Sequence, residues 1–322
     1  MRGTSKIRRQ GYDDPLLVEV MKAHGLDEIP LYKHRPKRVM SRMDFWDDIG
    51  KIRDGEVGPE RRPVPEPAVM AAEIKGMALE LGASVVGIAT LTPVMIDQTV
   101  DLPHEFVICC IIGEDYAAAL GGPRAVEEES TSTYVRCAEV STEIAKRIRD
   151  MGYAARAHHN GGCDVQAIPA MYAAGLGELG KHGSLIHPVL GASHRPGIIT
   201  TTLPLAIDAP LVFGVQDTCL NCNLCSNNCP ADAIPRDAFI LTEGIRRWLT
   251  DIEKCYTMSR MRAQYCHICV DACPYVHKGN GDKNKKDLFK QYMAKRKKAG
   301  YRTPAWFAEE EAEIMGTTPG RA

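Results

Sequence analysis

The sequence predicts a layered α/β or α+β domain followed by a small insert organised by metal rather than by a hydrophobic core. Two observations carry that prediction. Segments of helical and strand-like periodicity alternate from residue 67 to about residue 208, and most of the 12 cysteines crowd into residues 215–278. The composition agrees. The 322 residues are 44% apolar and 25% charged, ordinary for a soluble globular protein, and the formal net charge of −1 argues against a uniformly basic nucleic-acid binder. The longest wholly apolar run, Phe106 to Ile112, falls far short of the roughly 20 residues a membrane-spanning helix needs.

Residues 1–66, rich in charge and proline, read as an arm that packs through Met40, Met43, Phe45 and Trp46. Arg8-Arg9 invites comparison with a twin-arginine export signal, but polar residues follow where such a signal needs an apolar core. The expectation is a cytoplasmic, reducing location, which favours metal ligation over disulfides. Pro67 opens a helix with Val69, Met70, Ile74, Met77 and Leu81 at helical spacing, and Gly82 stops it. Ser84 to Thr90 and Phe106 to Ile112 are short, β-branched and bounded by Gly and Pro, so they read as buried strands. A second long helix is expected over about 132–151, a strand over Tyr153 to His158, a short helix over Ile168 to Ala174 and a strand over Gly197 to Leu205. Cys109, Cys110 and Cys137 read as core packing, and Cys163 as a spectator in a loop.

Cys219, Cys222, Cys225 and Cys229, followed by Pro230, spell C-x2-C-x2-C-x3-C-P. In this iron–sulfur run three closely spaced thiolates wrap one cluster and the fourth reaches another. The required partner run is present: Cys266, Cys269 and Cys273 precede Pro274, with Cys255 eleven residues upstream. Crossed ligation then gives two 4Fe-4S clusters, one on Cys219, Cys222, Cys225 and Cys273 and the other on Cys229, Cys255, Cys266 and Cys269. Zinc would want closed four-ligand sets and leaves the proline-flanked cysteines without a role. No G-x-G-x-x-G fingerprint, P-loop or radical-SAM spacing accompanies the clusters.

Several further segments resemble the cobalamin-dependent reductive dehalogenases and, more distantly, the epoxyqueuosine reductases. They are Tyr153 to His158, Ile168-Pro169, the glycine-rich run Ala174 to Gly183, Arg195, Thr202 to Leu205 and the two cysteine runs, in that order over roughly 67–278. The resemblance implies an N-terminal arm (1–66), a nitroreductase-like α+β cobalamin-binding core (67–210), a bacterial ferredoxin-like two-cluster domain (211–278) and a charged tail (279–322). It also implies cobalamin bound base-off, and the D-x-H-x-x-G signature of His-ligated cobalamin proteins is absent.

By the same resemblance, clusters with potentials of about −400 mV or lower feed a corrinoid that removes halide from an organic substrate. Tyr134 is then the proton donor, Arg195 the cation that stabilises its phenolate, and Asn160 the residue that orients it. Taken without the family, Tyr134 reads as packing at a helix start and Arg195 as a counter-charge to a cofactor phosphate. His158, His159 and Asp164 are alternative acids, with His158 expected to titrate nearest neutral pH. Gly175, Gly177 and Gly183 are expected to approach the corrin, with Lys181, His182 and His158 as further cofactor contacts. Respiratory members of the family are longer and carry an export signal, so the expectation is a catabolic or biosynthetic reductase fed by a low-potential donor such as ferredoxin or flavodoxin. The alternatives are reduction of an epoxide on a modified tRNA base and a non-catalytic electron-transfer or corrinoid-binding protein. The basic stretch Lys283, Lys285, Lys286, Lys290 and residues 295–298 reads as a solvated helix face.

Overall fold

The computed structural model describes residues 1–5, 15–23, 25–237, 239–242, 245–262, 264–278 and 281–298. Arg8-Arg9 and the acidic tail from residue 299 lie outside the described residues. Among the described residues no helix is long and apolar enough to cross a membrane.

Among the described residues three helices precede residue 67: α1 (Pro15–Ala23), α2 (Pro30–Lys33) and α3 (Lys37–Gly50). The helix expected from Pro67 is α4 (Pro67–Glu80), with proline in its first turn and Gly82 in the left-handed region beyond its end. Its buried row is Met70, Ala71, Ile74 and Ala78, whereas Val69, expected on that face, is 60% exposed. Next come β1 (Val85–Thr90), β2 (Phe106–Gly113), α5 (Pro123–Asp150), β3 (Ala155–His158), α6 (Ala167–Ala173), β4 (Glu178–Leu179), β5 (Leu185–Ile186) and β6 (His194–Thr201).

Four strands form one sheet in the order β1-β2-β6-β3, and every neighbouring pair is antiparallel. That decides for α+β over a parallel α/β arrangement. β2 is buried on both faces, which explains its unbroken apolar run. Ile108, Cys110 and Ile112 pack with α4 and α5, while Cys109 and Ile111 pack with α6 and the segment after it. The adjacent Cys109 and Cys110 thus fill opposite cores, and burial pushes the Cys110 thiol up to about 12. Cys137 is core as well, and Cys163 is exposed.

Two boundaries differ from expectation in ways that matter for the site. Helix α5 starts at Pro123, nine residues before the expected Ser132. Its early turns bury Glu127, Ser130, Thr131 and Thr133, polar residues that a hydrophobic period cannot detect. Strand β6 starts at His194, which brings Arg195 into the sheet opposite Ile112. Helix α3 packs on α5 and buries Val39, Trp46 and Ile49. Met40, Met43 and Phe45 are only partly buried.

The cysteine-rich region consists of short elements: α7 (Val215–Asn221), α8 (Leu224–Asn228), β7 (Ile240–Thr242), β8 (Ile245–Arg247), α9 (Ile252–Arg260), α10 (Ile268–Asp271) and α11 (Tyr275–Lys278). The last described helix, α12 (Lys283–Lys298), exposes most of its lysines but buries Arg296 completely. Arg296 donates to Asn228 Oδ1 (2.8 Å) and Asn228 O (2.9 Å), so the basic stretch is not solvated throughout.

Candidate active site

Tyr134 and Arg195 meet where α5 crosses β6. Arg195 Nη1 donates to the Tyr134 hydroxyl at 3.4 Å, and its guanidinium carbon lies 5.0 Å from the centre of the phenol ring. The remaining nitrogens fix the fork: Nε donates to Glu114 Oε1 (2.7 Å), Nη2 donates to Ser130 Oγ (3.0 Å), and Nη2 lies 2.6 Å from His267 Nε2. A planar five-donor group is needed to satisfy so many directions at once. Glu114 is buried, and burial alone would raise its carboxyl. The charges of His267 and Arg195, with hydrogen bonds from Ser130 and Arg195, outweigh burial and bring it down to about 2. Burial likewise opposes the Arg195 charge, but the Tyr265 and Tyr134 phenols and Glu114 hold its pKa well above the usual value. From α3, Trp46 covers the phenol edge-on, with ring centres 6.0 Å apart.

His267 joins this group to the cluster segment, because it lies inside the Cys266–Cys269 pair. Its Nδ1 is 2.9 Å from Asp271 Oδ1 one turn along. Glu114, Ser130 and Asp271 were not singled out in the sequence, and Trp46 was expected only as arm packing. The one available signal was the position of His267 between Cys266 and Cys269; the others come from separate elements with no common spacing.

Among the described residues, no three His, Cys, Asp or Glu side chains converge as tightly as one metal ion requires. Eight cysteines nevertheless lie close enough to feel one another's charges. Burial raises Cys225 to about 12 and also raises Cys273, and each feels the charges of Cys219 and Cys222. Burial raises Cys255 and brings Cys266 to about 12; Cys255 feels Cys229, and Cys266 feels both of them. Cys269, raised chiefly by burial, feels Cys266, Cys255, Cys225 and Cys229. Buried thiols of this kind become thiolates readily only beside a metal.

Cys229, Cys255, Cys266 and Cys269 all line one cavity of about 420 Å³. Its other walls are mainly apolar, from Ile168, Pro169, Leu179, Trp248 and Met258, and they include Gly180, His182 and Gly183. Two buried polar atoms on these walls, His182 Nε2 and Thr250 Oγ1, have no hydrogen-bond partner among the described residues. His182 Nδ1 accepts from the Ser184 N–H (3.1 Å), which places the neutral ring's proton on the unpartnered Nε2. Burial pulls this histidine down to about 4, so it remains neutral. Four thiols, a glycine-lined wall and two orphaned polar groups fit a large cofactor placed against a cluster.

The remaining expected contacts are distributed differently. His158 is buried in β3, with Nε2 2.9 Å from Thr200 Oγ1 and Nδ1 accepting from the Asp164 N–H (3.2 Å). Burial pulls it down to about 3, which overturns the expectation that it titrates near neutrality. His159 is drawn down to about 4, also by burial. Asp164 is tied to Arg53 (2.8 Å) and Arg156 (3.3 Å). Although burial opposes its charge, the bond from Arg53 leads in lowering its pKa, so it is not a reserve acid. Asn160 is exposed on the turn after β3, and no hydrogen bond joins it to Tyr134 or Arg195. Gly175 and Gly177 face the chain rather than the cavity: a Cβ on each would lie 2.3 Å from Ala209 O and 2.1 Å from Ile186 O. The Lys181 side chain leaves the cavity for the cluster segment and donates to Asn223 Oδ1 at 2.9 Å.

Residues 218–276 match the family model of the 4Fe-4S dicluster domain. A tetrachloroethene reductive dehalogenase of Desulfitobacterium hafniense is 33% identical over 182 residues, covering 52% of this chain and 32% of that protein. An epoxyqueuosine reductase of Synechococcus sp. (strain CC9605) is 34% identical over 125 residues, covering 36% of this chain and 37% of that protein. The structure of a catabolic reductive dehalogenase in complex with 3-bromo-4-hydroxybenzoic acid superimposes with a TM-score of 0.71 at 26% identity, covering 86% of this chain and 40% of that one. The chain therefore spans about a third of the length of the dehalogenase it matches in sequence. In sequence and in fold the chain is similar to reductive dehalogenases, which are oxidoreductases, and over a shorter stretch of sequence to an epoxyqueuosine reductase.

Proposed function

We propose that the chain is the catalytic part of a reductase that removes halide from an organic substrate, with two 4Fe-4S clusters and a base-off corrinoid as cofactors. The observation that carries this reading is the Tyr134–Arg195 pair, linked through His267 to the cysteines that line the 420 Å³ cavity. Cys219, Cys222, Cys225 and Cys273 would hold one cluster, and Cys229, Cys255, Cys266 and Cys269 the other. The walls carrying Gly180, His182, Gly183 and Thr250 would receive the corrinoid. When bound, these groups supply single electrons at low potential and a reduced cobalt able to break a carbon–halogen bond.

The protein's own task is then acid catalysis. Reductive dehalogenation consumes two electrons and one proton, leaving a C–H bond and a halide ion. Tyr134 donates that proton from Oη, and Arg195 balances the charge left on the phenolate. Glu114 and Ser130 hold the guanidinium in place, while Trp46 keeps water from one side of the ring. His182 lends an N–H, not a lone pair, to whatever fills the cavity, which agrees with a corrinoid lacking a histidine ligand.

The test is Tyr134→Phe in the reconstituted, anaerobic protein, assayed for halide release. Halide release should fall by about 10²-fold or more, with iron content and the corrinoid spectrum unchanged. Wild-type turnover by this variant would remove Tyr134 as the acid. Similarity to the epoxyqueuosine reductase keeps a second substrate in view, the epoxide of a modified tRNA base. Tight, steeply salt-dependent tRNA binding together with inertness toward organohalides would select it.

A further inference from the structure

Lys181 is a fully buried lysine whose ammonium meets no carboxylate among the described residues. Its ammonium donates to Asn223 Oδ1 (2.9 Å), Leu220 O (3.4 Å) and Arg236 O (3.5 Å), and lies 5.6 Å from the centre of the Trp248 ring. All of these partners are neutral. No ion pair among the described residues includes Lys181. The buried carboxylate nearby in sequence, Glu178, is taken up by the N–H groups of Phe213 (2.6 Å) and Val215 (3.0 Å). Buried lysines are almost always paired, because neutral acceptors do not replace what water gives an ammonium.

The direction of the side chain indicates what the missing anion is. Leu220 and Asn223 flank Cys222 in the first cysteine run. Through Leu220 O and Asn223 Oδ1 the buried ammonium therefore grips the loop of the first cysteine set on both sides of Cys222. An iron–sulfur cluster on four thiolates is itself an anion, and it becomes more negative when it accepts an electron.

We propose that Lys181 is the built-in counter-charge of the cluster held by Cys219, Cys222, Cys225 and Cys273, and that it raises the reduction potential of that cluster by stabilising the electron it accepts. This rests on the two-cluster reading above. The lysine acts as a positioning and tuning residue, away from the cavity where the substrate reacts. A cation near one cluster separates the two potentials and so gives electrons arriving from a low-potential donor a preferred first stop.

The experiment is a potentiometric titration with dithionite, followed by electron paramagnetic resonance, on anaerobically reconstituted full-length protein. Cys222→Ser marks which signal belongs to the first cluster. In Lys181→Met the reduced-to-oxidised ratio of that cluster at a fixed potential should fall about tenfold, equivalent to a midpoint lower by about 59 mV for a one-electron couple. The second cluster should stay where it was, and Lys181→Arg should restore the first. Lys181→Gln removes the charge while keeping a donor toward Asn223, and covers the case in which Met is not accepted. Unchanged midpoints in both neutral variants would overturn the inference. Loss of the first cluster in the neutral variants with retention in Lys181→Arg would support it; loss in all three would overturn it, since shape rather than charge would then decide. Wild-type protein unable to hold two clusters would instead overturn the two-cluster reading.

Discussion

Replacing Arg195 by glutamine removes a positive charge placed to meet a phenolate on Tyr134. Nη1 and the tyrosine oxygen are 3.4 Å apart. Two unit charges at that distance in a medium of effective dielectric near 20 attract by about 5 kcal/mol. Part of this is already spent, because the Glu114 carboxylate lies 2.7 Å from Nε on the other side of the guanidinium. A remaining contribution of about 3 kcal/mol matches the loss of one preorganised donor from an oxyanion site. That corresponds to about a hundredfold in rate. Lysine should recover only part of it, since one ammonium cannot reach Glu114, Ser130 and Tyr134 together. The assay is halide release from tetrachloroethene and from a bromophenol, with a reduced viologen as donor and iron content as the control for cluster loading. A rate for Arg195→Gln within about threefold of wild type would refute the electrostatic argument, because threefold amounts to only about 0.65 kcal/mol, about one-fifth of the expected 3 kcal/mol.

Two further outcomes follow from packing and titration. Gly197 lies where β6 touches α5, and a Cβ there would come within 2.5 Å of Cys137 O. Gly197→Ala should push the helix away from the strand, separate Tyr134 from Arg195 and lower turnover although neither residue is altered; an active variant would show that the contact is loose. His104, His158, His159 and His194 are all drawn down by burial, to about 4, 3, 4 and 4, against an ordinary 6.5. Between those values the unfolded chain binds more protons than the native one, so stability is full above about 6.5 and drains away as pH falls toward 4. Urea midpoints compared at about pH 7.5 and pH 5.5 should show this decline, with His158→Gln flattening it, and a midpoint that does not move would contradict the neutral assignment.

Much of the layout was legible because it is local. Proline at the start of α4, the β-branched runs of β1 and β2 and the cysteine spacing are written within a few residues of chain, where periodicity and turn chemistry operate. What escaped was polar and buried. The first turns of α5 carry glutamate, serine and threonine at positions that an apolar period leaves blank, and one of these side chains, Ser130, is a partner of Arg195. His158 looked like a titrating residue from its place near the candidate pocket, yet the fold seals it against Thr200.

By itself, then, the sequence carried the cysteine spacing that predicts an iron–sulfur ligand set and the alternation of helix and strand, while its resemblance to a known family pointed to Tyr134 and Arg195 as a pair. Only the tertiary structure decided that the sheet is antiparallel, that Lys181 turns from the cavity toward the first cysteine loop while His182 stays on the cavity wall, and that Glu114 and His267 brace the arginine. The reason is physical: spacing along a chain fixes which atoms can share a turn, but charge and burial depend on which distant segments close over them, and no local pattern encodes that.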